Sequence, residues 1–134
     1  MKKLSLIILL FSAVSLFGQV SVIANKSVSD ASLSASKVGS IFTLETTKWS
    51  NGSKIIVFDN SSDVNASFYQ GIGKSTMAVK KEWLKKQLTG EAVAPENLGG
   101  DAEVIRKVSS TQGAIGFVSS SSVNGSVKVL CQIK

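Results

Sequence analysis

The stretch Lys54-Ile55-Ile56-Val57-Phe58 carries four apolar residues in a row, with no polar residue alternating between them. A strand with one wet face alternates, so this run reads as a β-strand covered on both faces. A strand of that kind needs helices above and below it, and the rest of the chain supplies them. Leu33, Val38, Ile41 and Phe42 recur at helical spacing, with Asp30 or Ser32 as candidate N-caps. A short helix is expected over Val64–Gln70, ending at Gly71 or Gly73. Residues 75–90 make the clearest helix, with Ser75 as its cap and Gly90 as its end. Its Met77, Leu84 and Leu88 share one face, which is expected to lie against the sheet with Trp83 beside them. On that reading Leu84→Ala costs ~2–5 kcal/mol through lost burial and a cavity.

A further helix over residues 101–110 turns Val104, Ile105 and Val108 inward, and Asp101 and Glu103 suit its positive end. Strands are expected at Val20–Ala24, at residues 113–118 and at residues 126–133. Asn51-Gly52 is a turn pair, and residues 91–100 read as a loop around the single proline, Pro95. Strands separated by helices make an α/β layered sheet, largely parallel. Gly116, inside a strand, calls for something packed closely over it, with a helix favoured over a ligand.

The first residues read as an export signal. Met1-Lys2-Lys3 is a basic start, Leu4–Phe17 is almost wholly apolar, and Gly18-Gln19 is a small-residue cut. The division expected is residues 1–19 as signal peptide and 20–134 as one domain. Cleavage removes Lys2 and Lys3, which brings the formal charge of +6 down to +4. The remaining lysines are scattered or paired along a helix, with no basic run and no aromatic platform, which argues against a nucleic-acid partner. The chain has no histidine. That removes Ser-His-Asp and Cys-His catalysis and most zinc sites. No enzyme activity, catalytic residue, metal or cofactor is expected. The single cysteine, Cys131, cannot form an internal disulfide and reads as a buried strand thiol.

The segment Val57-Phe-Asp-Asn-Ser-Ser-Asp-Val-Asn-Ala-Ser-Phe68 passes from strand through a polar loop into a helix. Helix starts carry unpaired N–H groups and often face oxyanions, and strand-end loops are where open α/β sheets bind ligands. The candidate ligand-binding residues are Asp59, Asn60, Ser61, Ser62 and Asn65. The loop contains Asp59 and Asp63 but no Arg, Lys or Gly. The competing reading is that Ser62 or Asp63 simply caps the next helix.

Three stretches resemble the substrate-binding proteins of phosphate ABC transporters, in the periplasmic binding protein superfamily. They are residues 41–59 with their Trp49, Asn51-Gly52 turn and strand, residues 67–90, and residues 99–118 with Gly113-Ala114-Ile115-Gly116. The resemblance implies a single three-layer lobe of a periplasmic binding protein type II-like fold, mostly parallel, as in the family's short members. It also implies a periplasmic or secreted solute-binding-like protein that holds phosphate or another oxyanion and works with an ABC transporter permease or other membrane protein. In the family, the segment after this strand carries an Arg and a Gly-Ser-Gly-Thr-like turn. Here Asp59 stands about where the Arg would be, and Asn60-Ser61-Ser62-Asp63 replaces the turn. Half a cleft with these donors implies weak binding. The alternative is a non-catalytic interaction module for a membrane or periplasmic partner, or for a second copy, with no small ligand.

Overall fold

The computed structural model describes residues 19–134, and the expected export segment, apart from Gln19, lies outside the described residues. The strands are β1 (Val20–Ala24), β2 (Ile56–Asn60), β3 (Glu96–Leu98), β4 (Ala114–Ser119) and β5 (Lys128–Ile133). The helices are α1 (Ala35–Phe42), α2 (Val64–Gly71), α3 (Thr76–Leu88) and α4 (Asp101–Ser110), and a 3-10 turn spans Ser120–Ser122. The five strands form one sheet in the order β3-β2-β4-β1-β5. β2 pairs parallel with β3 and with β4, whereas β1 pairs antiparallel with β4 and β5. Four strands therefore run one way and β1 runs against them, which is the α/β, mostly parallel architecture expected.

Both sheet faces are covered, as the unbroken apolar run in β2 requires. Strand alternation sends Val22, Val57, Ile115 and Phe117 to one face, under α1 and α2, with Phe42, Phe68 and Tyr69. Ile23, Phe58, Ala114 and Val118 go to the other face, under Val104, Ile105 and Val108 of α4. Phe68 stacks on Phe117 at a centroid distance of 3.9 Å, and Phe42 meets Phe68 edge-on at 4.8 Å. Gly116 lets α4 approach the sheet. A Cβ there would lie 2.8 Å from Val104 Cγ1 and 3.2 Å from Val108 Cγ2, so the close neighbour is a helix.

Several local expectations hold. Ser75 Oγ accepts from the Ala78 amide at 3.1 Å, and Gly90 closes α3 at φ +76°. Gly52 turns at φ +88° beside the bridge between Lys48 and Lys54. Other expectations fail for identifiable reasons. The α1 cap is Ser34, whose Oγ accepts from the Lys37 amide at 3.1 Å, rather than Asp30 or Ser32. Residues 91–100 are not loop throughout: Glu96, Asn97 and Leu98 pair with Phe58, Asp59 and Asn60. A strand of three residues is too short to show a period. β2 starts and ends two residues later than Lys54–Phe58, so Asp59 and Asn60 belong to the strand.

α3 turns inward a different face from the one its periodicity predicts. Met77, Leu84 and Leu88 are exposed, and the buried residues are Val79 and Trp83. α3 packs on α2 rather than flat on the sheet, so one narrow stripe suffices. The Trp83 indole, the largest apolar group on the helix, sets that stripe by donating to the Phe42 carbonyl at 2.6 Å. Cys131 is half-buried on the outer strand β5 rather than fully enclosed, and that burial pushes its thiol pKa up. No helix among the described residues is long and apolar enough to cross a membrane.

Candidate functional site

The carboxyl ends of β2, β3 and β4 point the same way, so the segments leaving these strands gather at one end of the sheet. There the five residues Asp59, Asn60, Ser61, Ser62 and Asn65 come together, along with the start of α4 and the turn after β4. Strand alternation divides them. Asp59 points to the α2 side, like Val57, and Asn60 points to the α4 side, like Phe58.

On the α4 side the hub is Asp101, the first residue of α4. Its Oδ1 accepts from Asn60 Nδ2 at 2.9 Å and from Ser62 Oγ at 3.3 Å. Its Oδ2 accepts from Ser122 Oγ at 2.7 Å and from the Ser119 amide at 3.1 Å. Four donors from the ends of β2 and β4 thus converge on one carboxylate. Asn60 also donates to the Phe117 carbonyl at 2.9 Å, and its Oδ1 accepts from the Ser62 amide at 2.9 Å. That turn orders the loop before α2. Neither Ser62 nor Asp63 caps α2 with its side chain: Ser62 reaches Asp101, and Asp63 makes no capping bond. Ser61 Oγ donates to the Leu98 carbonyl at 3.0 Å, tying the loop to β3.

On the α2 side Asp59 is 2% exposed and sits under Tyr69, whose hydroxyl donates to it at 2.7 Å. Asn65 Nδ2 donates to the Asn60 carbonyl at 2.8 Å and more loosely to Asp59 at 3.4 Å, and Thr76 Oγ1 donates to Asn65 Oδ1 at 3.2 Å. Burial raises the Asp59 pKa above the ordinary carboxylate value, opposed by the Tyr69 hydroxyl, the Asn60 amide and the charge of Lys80. Burial, then the charge of Asp59 and its hydrogen bond, keep the Tyr69 phenol protonated far above its ordinary range. Asp59 therefore works inside the fold as the acceptor that seats Tyr69. An arginine in its stead would have to enter the core.

Every buried side-chain nitrogen and oxygen among the described residues has a hydrogen-bond partner. No group of three or more acidic or thiol side chains among them could hold a metal ion. Reading the sequence missed Asp101, Ser119, Ser122 and Tyr69. The signal available for the first three was the Gly99-Gly100-Asp101 helix start and the serine run after β4, both at ends of strands or helices that a parallel sheet brings together.

No family model matches the chain, and a search of curated proteins finds no match either. Solved structures do match. A protein from Clostridium perfringens, assigned to the phosphate ABC transporter substrate-binding proteins and solved with bound phosphate, superposes with a TM-score of 0.68 at 20% identity over 83% of this chain. An ABC-type phosphate transport receptor from Vibrio cholerae gives 0.57 at 16% identity, and PstS from Borrelia burgdorferi 0.56 at 18%, each over 83% of this chain. The matches cover 43%, 44% and 46% of those proteins, so this chain spans less than half their length. The chain has the fold of one part of these binding proteins, as its sequence resemblance implied.

Proposed function

We propose that the protein is an exported, non-enzymatic solute-binding-like lobe that binds phosphate or another oxyanion weakly at the strand-end loop and serves an ABC transporter permease or a similar membrane partner. The signal-like start of the sequence supports export to the periplasm or beyond. The likeness to phosphate-binding proteins supports the ligand class. One observation carries the site and its weakness: Asn60, Ser62, Ser119 and Ser122 already converge on an oxyanion, the carboxylate of Asp101. The cradle has the chemistry to hold an anion, but an outside anion must compete with one built into the chain. Hydrogen bonds to a charged group contribute ~1.5–3 kcal/mol each, so losing even two to an internal acceptor lowers affinity by about two orders of magnitude or more.

Calorimetric titration with phosphate tests this. The expected dissociation constant is on the order of millimolar, and Asp101→Asn, which removes the competing charge but keeps the side-chain shape, should tighten it about tenfold. Micromolar binding that Asp101→Asn and Ser62→Ala leave unchanged would move the ligand elsewhere. A second reading, a ligand-free interaction module, is favoured by the internal commitment of the Asn60, Ser61, Ser62 and Asn65 side chains. Absence of phosphate binding in both the wild type and Asp101→Asn would leave that reading standing.

A further inference from the structure

The outward face of α3 has a composition that a solvated helix does not need. Met77 is 71% exposed, Leu84 58% and Leu88 78%. At 100° per residue these three lie within roughly 20° of one line along the helix. Lys80 and Lys81 flank that line, lining a shallow depression with Met77 and Leu84. The helix carries four lysines and one glutamate. Val79 and Trp83 fasten its other side to the body of the protein, so the outward face is presented by a helix already held in place.

We propose that this face of α3 adsorbs to an anionic lipid surface. Three apolar side chains fall well short of the ~800 Å² per partner that a stable protein interface buries. A second copy docked face to face would bring the two sets of lysines together, which like-charge repulsion opposes. The boundary of an anionic bilayer suits both parts of the face. Methionine and leucine tips enter the acyl region, while the lysine stems lie along it and hold their ammonium groups at the headgroup phosphates. Each lysine gains from the negative surface potential, and salt screens that gain. The adsorption is independent of anion binding at the strand ends, which lies in different residues.

The test is co-sedimentation of the full-length chain with phosphatidylcholine vesicles, with and without about 40 mole per cent phosphatidylglycerol. Partition onto the anionic vesicles should be about tenfold higher and should fall at ~0.5 M salt. Lys80→Glu/Lys81→Glu should abolish the preference, whereas the charge-matched pair Lys48→Glu/Lys54→Glu, also exposed, should keep most of it. Leu84→Ser/Leu88→Ser should lower partition severalfold. All of these positions are exposed, far-ultraviolet circular dichroism checks that each variant is folded before it is scored, and the apolar start of the chain is common to every variant, so the differences report on α3. Equal partition onto the two vesicle types would overturn the proposal. So would an anionic preference that both charge-reversal pairs reduce equally, or an absence of adsorption, which would leave the lysines to an acidic protein partner.

Discussion

Asp59 is a carboxylate at 2% exposure, and its contribution to stability depends on pH. Its folded-state pKa is raised above the ordinary 3.8, chiefly by burial. Between the ordinary and the raised value the folded protein holds a proton that the unfolded chain has lost, so stability falls as pH rises through that window. Below it both states are protonated and the full stability is present. Above it the cost of the buried charge is constant. Asp59→Asn carries no such charge. In urea melts from acid to neutral pH, the wild type should therefore lose stability relative to Asp59→Asn as the pH climbs above the ordinary carboxylate range. The opposite slope would mean that Tyr69, the Asn60 amide and Lys80 outweigh burial. Gly116 shows the same sensitivity to a single group in purely steric form, since the approach of Val104 and Val108 leaves no room for a methyl.

At the scale of elements, α3 shows how a helix chooses its inward face. The buried stripe of Val79 and Trp83 and the exposed line of Met77, Leu84 and Leu88 are separated by roughly 140° around the axis. Counting apolar residues favours the second. The indole decides for the first, because one Trp buries more area than a leucine and can also donate to the carbonyl that ends α1. Trp83→Ala should therefore cost ~3–5 kcal/mol, while Leu84→Ala, at an exposed position, should change stability by less than about half a kcal/mol. This reverses the expectation for Leu84 drawn from periodicity. Denaturant melts of the two variants check it, and equal losses would show that Leu84 is covered in solution.

For the whole molecule, the critical piece is the strand nearest the start of the domain. β1 lies between β4 and β5 and pairs with both along its whole length, with an irregularity between Val22 and Ile23. Its side chains enter both apolar clusters. Deleting Val20–Ala24 would strip β5 of its partner and open both faces of the sheet at once. The truncated chain should lose its near-ultraviolet circular dichroism and its cooperative urea transition. A sharp transition retained after deletion would mean that β4 and β5 can pair directly. The same organisation predicts that the described domain unfolds as one unit, because every central strand belongs to both cores.

Features written within one helical turn or one strand were legible from the residues alone. Ser75 and Gly90 bound α3, residues 101–110 form a helix with Val104, Ile105 and Val108 inward, and the apolar run before Asp59 is a strand covered on both sides. These features act between neighbours, so a linear chain displays them, although the α1 cap at Ser34 and the inward face of α3 show that one local pattern can admit two solutions. The family resemblance likewise rested on local stretches, and the fold agrees with it. Tertiary structure alone decided the existence of β3, which is strand only because β2 offers it an edge. It also decided the face of α3, set by a bond from Trp83 to Phe42 across 41 positions. The strand-end hydrogen-bond cluster was half legible. Asp59, Asn60, Ser61, Ser62 and Asn65 are adjacent in sequence and could be named together, but the carboxylate that fills the cradle comes from Asp101, 41 positions beyond Asn60. Such partners are chosen by long-range burial and strand order, which no short stretch of residues records.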